Sequence, residues 1–188
     1  MGENDFAEMI ATLKRAAAAL RDAEIEFLLA GGLASWVRGG PESEHDLDLM
    51  VRPEDAERAL AALQSAGMRV ERPPETWLFK AYDGEVMLDL IFRPVIGPVT
   101  DEFFERAELL EVEAVPMLVL ALEDLMTTKL LVLREHEVDY DGVVEIARSL
   151  REKIDWDEVR RRTQGSPYAA AFFTLVEGLG VVETTSGR

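Results

Sequence analysis

Asp46 and Asp48, separated by Leu47 in the stretch HDLDLMV, and Asp89 in VMLDLIF are three carboxylates set into otherwise apolar runs. Side chains of an extended strand alternate between faces, so Asp46 and Asp48 share one face, about 7 Å apart, while Leu47 and Leu49 turn to the other. Carboxylates this close repel one another and lose hydration, a cost that a cation or strong hydrogen bonds must offset. Magnesium, held by one or two carboxylates together with substrate phosphates, meets that demand. The pair alone would serve equally well as a solvated polar face. Asp89 argues for the first reading, because a carboxylate in a strand apolar on both faces is expensive unless it is paired or metal-bound. If the two strands are neighbours, three carboxylates converge. Two divalent ions about 4 Å apart need such a cluster to clamp the attacking and leaving oxygens of a phosphoryl or nucleotidyl transfer. A calcium loop of the EF-hand type fits less well, since its ligands alternate through a flexible glycine-containing loop.

Two further features suit a phosphate-bearing substrate. Gly31 and Gly32 stand between an apolar run and a short helical stretch, where missing side chains let backbone N–H groups approach a phosphate. Neither the Walker pattern nor a dinucleotide glycine fingerprint is present. Lys129 has Leu122, Leu125, Met126, Val132 and Leu133 at helical spacing around it, so it emerges from an apolar face. It must reach water along its stem, or meet an anion such as a triphosphate or an active-site carboxylate.

The elements that position these residues are legible in the hydrophobic pattern. Phe6 to Arg21 predicts an amphipathic helix, IEFLLAGG a short buried strand, LASWVR a short helix, and GGPESE a loop. HDLDLMV is a strand, and Pro53 opens a helix from Glu54 to Ser65. MRVERPP predicts another strand, and TWLFKAY-DG-EVMLDLIF a hairpin around Asp-Gly. Beyond it the pattern predicts a short helix over Glu102–Ala107, a strand over LLEVEAV, and helices over Met117–Arg134, Gly142–Glu152, Asp157–Arg162 and Ala169–Glu177. Strands come first and helices last, an α+β class with a mixed sheet. Residues 1–115 are expected to form the core, 116–182 a helical portion packed on it, and 183–188 a tail.

Composition removes several classes of function. The chain has no cysteine, which excludes disulfides, thiolate metal sites and cysteine nucleophiles; two histidines, His45 and His136, make a histidine-rich zinc site a poor fit. With a net charge of −17, the chain is a poor general ligand for nucleic acid. Its one dense basic run, Arg160–Arg162, reads as the solvated end of a helix. Acids at the N-terminus do not resemble an export signal, and charges at Glu123, Asp124 and Lys129 break the most apolar long segment, so no membrane span and a cytoplasmic location are expected.

GGLASWVRG followed by HDLDLMV, then VMLDLIF and LEDLMTTKLLVLR, resembles the minimal nucleotidyltransferases of the DNA polymerase beta superfamily, over about Ile10 to Leu150. Within it, the chain is most similar to the compact bacterial enzymes that include antibiotic nucleotidyltransferases and toxin-type members of toxin–antitoxin pairs. The resemblance implies magnesium-dependent transfer of a nucleoside monophosphate from a nucleoside triphosphate such as ATP to a hydroxyl, releasing pyrophosphate. By position it assigns Asp46, Asp48 and Asp89 to the metal, with Asp89 also the base, Gly31 and Gly32 to phosphate, and Lys129 to a lysine recurrent in the helical part. Many relatives carry serine where this chain has Gly32, and arginine and threonine where it has Glu42 and Glu44. Ser35 is the expected substitute for the first, and Arg38 the compensation for the second. The acidity favours a small or cationic acceptor over RNA. A catalytically weak binding module, such as the antitoxin half of a pair, and a purely structural interaction protein are the competing classes.

Overall fold

The computed structural model describes residues 3–41, 46–135 and 138–183. Helix α1 (Glu3–Asp22) leads into strand β1 (Leu28–Leu29), helix α2 (Gly31–Trp36) and strand β2 (Asp46–Met50). Helix α3 (Ala56–Ser65) is followed by strands β3 (Arg69–Glu71), β4 (Leu78–Asp83) and β5 (Val86–Ile91). After α4 (Asp101–Arg106) come β6 (Glu108–Val112) and β7 (Val115–Val119), and then α5 (Leu122–Leu131), α6 (Asp141–Leu150), α7 (Trp156–Arg162) and α8 (Pro167–Gly178). The seven strands form one mixed sheet in the order β3-β4-β5-β2-β1-β7-β6. The α+β class read from the sequence is the class observed.

Alternation decides which face of the sheet is sealed. Leu47, Leu49, Leu88 and Leu90 are fully buried, and helices α1 and α3 pack across β2, β5 and β4 on their side. The leucines are β2 and β5 residues of one parity, and the aspartates have the other, so the carboxylates lie on the face away from α1 and α3. The Asp-Gly hairpin is anchored at its tip: Asp83 accepts a 2.9 Å hydrogen bond from the Thr12 hydroxyl and pairs with Arg15, both on α1. One apolar cluster then runs from α1 through the sheet to Phe172, Phe173 and Val176 of α8.

Two expectations are corrected around residue 117. LLEVEAV is the start of a second hairpin, and Met117–Val119 belong to its second strand, so the helix starts only at Leu122. The turn is Glu113–Ala114, both in the left-handed region with φ of 47° and 66°. Such tight turns usually advertise themselves with Asn or Gly. Here neither residue type is present, and the hairpin carries no local signal. Pro116 is tolerated because β7 meets β1 only at Val119, so the proline sits where β6 is its sole strand neighbour.

Candidate active site

Strand β2 pairs with β5 in parallel, and the register sets Asp48 directly beside Asp89. The two carboxylates come from segments 41 residues apart and share the sheet face that α1 and α3 leave uncovered. Asp46 holds the preceding same-parity position of β2, opposite Met87. Its side chain, like Glu42, Glu44 and His45, lies outside the described residues.

Gly31 is required at its position for two independent reasons. Its φ of +59° is a conformation that L side chains rarely adopt, and a Cβ built on it would stand 1.7 Å from Asp48 Oδ2 and 2.6 Å from Asp48 Cγ. The β1 ladder brings this about: the Ala30 N–H donates to the Asp48 carbonyl at 2.9 Å, so the chain turns into α2 immediately beside the carboxylate. The missing Cβ is the space that the Asp48 carboxylate occupies. Gly32 follows in the first turn of α2, whose N-cap residue Ala30 offers no side-chain cap.

Ser35 and Arg38 are both held by other groups. The Ser35 hydroxyl is buried and donates back to the Gly32 carbonyl at 2.8 Å within its own helix. Arg38 is buried, donating to the Ala34 carbonyl at 2.7 Å, to the Val119 carbonyl at 3.4 Å and to Glu108 at 3.1 Å. Its guanidinium therefore reaches β7 and β6, which lie beyond β1 from β2 in the sheet. In this arrangement it ties α2 to the far edge of the sheet.

Sequence reasoning missed Lys80. It is the register partner of Asp89 on β4, and its ammonium donates to Asp89 Oδ1 at 2.7 Å, with Met87 Sδ 3.5 Å away. The side chains are 24% and 16% exposed. Asp48, Asp89 and Lys80 thus form a row across three adjacent strands. The signal was present: counting outward from the Asp-Gly turn pairs residue 82 with 87, 81 with 88 and 80 with 89.

Lys129 is half-buried on α5, a helix that packs against α2, and it has no ion-pair partner among the described residues. The basic run resolves into three different environments. Arg161 pairs with Glu158 on the surface, and Arg160 pairs with Glu177 and lies 3.9 Å from the Phe173 ring centroid. Arg162 donates to the fully buried Asp124 at 2.6 Å, and Arg106 forks onto the same carboxylate at 3.1 and 3.2 Å. Only Arg161 fits the reading as a solvated helix end.

Among the described residues, no three histidine or carboxylate side chains gather to hold a metal ion; the trio read from the sequence includes Asp46. The Asp48–Asp89 pair nevertheless supplies the hard oxygen donors that magnesium takes, on the face that α1 and α3 leave open and against a glycine whose Cβ would fill the space. A cleft of about 1060 Å³ among the C-terminal helices, lined by Arg151, Asp155, Trp156, Arg160 and Glu177, lies apart from this pair.

The model of a family described as uncharacterised nucleotidyltransferase matches residues 4–176. The chain belongs to this nucleotidyltransferase family. Solved nucleotidyltransferases share its fold. The solution structure of the antibiotic-resistance factor ANT(2'')-Ia is 16% identical, with 93% of this chain and 96% of that one covered at a TM-score of 0.65. A crystal structure of the same factor in complex with adenylyl-2''-tobramycin is 15% identical, with 88% and 97% covered at a TM-score of 0.64. The lincosamide antibiotic adenylyltransferase LnuA, solved with lincomycin, is 11% identical, with 72% and 92% covered at a TM-score of 0.51. No curated protein matches the chain. Among the described residues, no helix of this family member is long and apolar enough to cross a membrane.

Proposed function

We propose that this nucleotidyltransferase-family chain moves a nucleoside monophosphate from a nucleoside triphosphate to a hydroxyl group of a small acceptor. The single observation that carries the reading is the parallel β2–β5 register, which sets Asp48 beside Asp89 against the Cβ-less Gly31. Asp46, Asp48 and Asp89 would hold magnesium. When bound, the ion would neutralise phosphate charge and polarise the phosphorus–oxygen bonds.

The chain's own residues supply the rest. Asp89 accepts the proton of the acceptor hydroxyl as its oxygen attacks the α-phosphorus; the new O–P bond forms as the bond to the β-phosphate oxygen breaks and pyrophosphate leaves. Lys80 holds Asp89 Oδ1, which leaves Oδ2 for that proton. Gly31 and Gly32 offer backbone N–H groups to the triphosphate without side chains in the way. Lys129, on α5, which packs against α2, supplies positive charge to the phosphates. The net charge of −17 favours a small or cationic acceptor over RNA. The two relatives named as acting on antibiotics support a small-molecule acceptor.

A second reading, a nucleotidyltransferase-like binding module that transfers nothing, is favoured by the Lys80–Asp89 pair, because an ammonium on a metal-binding carboxylate suits a site that no longer takes metal. The two readings separate in one experiment. A triphosphate with magnesium should raise the melting temperature of the wild type by mass action, Asp48→Asn should remove most of the shift, and labelled nucleoside monophosphate should pass to an acceptor in a screen of hydroxyl-bearing amines. A melting shift equal in wild type and Asp48→Asn would place the nucleotide elsewhere; binding without transfer would leave the module.

A further inference from the structure

We propose that Lys80 is a built-in cation of the site: its ammonium takes the place that a second divalent ion would have beside Asp89, so the site loads one divalent ion with the triphosphate. This inference rests on the nucleotidyl-transfer reading above.

The sheet register fixes the arrangement. Asp48, Asp89 and Lys80 are consecutive cross-strand partners on β2, β5 and β4, with strands about 4.8 Å apart. The β2 side of Asp89 is therefore lined by carboxylate and the β4 side by ammonium. In a two-ion site the ions stand about 4 Å apart and share carboxylate oxygens. Here Asp89 Oδ1 already receives an N–H bond of 2.7 Å from Lys80. An ammonium has three donors and no acceptor, so it can bind a carboxylate or a phosphate but offers nothing to a metal. A second ion on the β4 side would meet both an occupied oxygen and a like charge.

The surroundings keep the lysine there. Its side chain is only 24% exposed, and besides Asp89 the ammonium also donates to the Met87 thioether, a weak acceptor, at 3.5 Å. A lysine needed only for solubility would extend to water instead. A purely structural cross-strand ion pair would also form this contact, and the number of ions bound separates that role from the proposed one.

The test uses the full chain, a non-transferable α,β-methylene triphosphate analogue and Mn²⁺, with unbound Mn²⁺ read by electron paramagnetic resonance. The wild type is expected to hold one Mn²⁺ per chain–analogue complex, Lys80→Arg one, and Lys80→Met two. Lys80→Gln gives the same count as Lys80→Met if the methionine variant does not fold, with folding checked by circular dichroism. Two ions in the wild type, or one ion in the folded neutral variants, would overturn the built-in cation and leave nucleotidyl transfer standing. No ion in the wild type with the analogue present would overturn both.

Discussion

Asp89 and Asp124 are both carboxylates held by cations, yet they are built for different work. Asp124 is fully buried, with Arg106 gripping it through two nitrogens and Arg162 through a third, and so it locks α4, α5 and α7 together. Asp89 is 16% exposed, has one lysine on one oxygen, and lies beside another carboxylate. Planar guanidinium forks fix a carboxylate's geometry on several lone pairs at once, whereas an ammonium is a single mobile point of charge. The first arrangement uses up the carboxylate. The second leaves it able to meet a ligand. Burial and the number of donors, not the presence of an ion pair, separate a structural acid from one available for chemistry.

The largest expected effect falls on the structural side. Asp124→Leu should lower stability by about 3 kcal/mol, the low end for breaking a buried ion pair, because Arg106 and Arg162 are partly exposed and can reach water. Urea unfolding would measure it, and Asp89→Asn should change the same midpoint far less. A loss under about 1 kcal/mol, the scale of a surface pair, would erase the distinction between the two acids.

Next in size, Lys129→Met, which keeps the apolar stem, should leave the melting curve in place and slow transfer by about 100-fold, the scale for removing a preorganised electrostatic partner. Unchanged turnover would assign Lys129 to the packing of α5 alone. Gly31→Ala tests the boundary between site and scaffold. The left-handed backbone alone should cost about 1–2 kcal/mol, and the added Cβ must push the Asp48 carboxylate aside. Measured together, triphosphate affinity should fall along with stability; a stability loss with normal affinity would show that Asp48 relocates without consequence.

The smallest effect belongs to Tyr140, whose phenol donates to the Tyr168 carbonyl at 2.8 Å. Burial, with a smaller contribution from Tyr168, holds its pKa above the ordinary value of 10.0. The native state therefore retains this proton longer than the unfolded chain, and the stability it contributes is present below pH 10.0 and lost as pH rises through the folded value. Wild type should lose stability more steeply than Tyr140→Phe in alkaline urea titrations. Parallel declines would remove Tyr140 from the linkage.

Much of this was written locally. The alternation in HDLDLMV and VMLDLIF set each aspartate opposite in face to its leucine neighbours, the helical period marked α1, and Asp-Gly both announced the first hairpin and, by counting outward, fixed Lys80 against Asp89. These follow from backbone periods of 2 and 3.6 and from turn chemistry, which act within a few residues. What the tertiary structure alone decided is non-local. It set β2 beside β5, turned Arg38 inward toward Glu108, carried Arg162 to Asp124, and made a hairpin through a Glu-Ala turn. Each of these is settled by which arrangement buries the most apolar surface while pairing every buried charge, a sum over the whole chain that no short stretch contains.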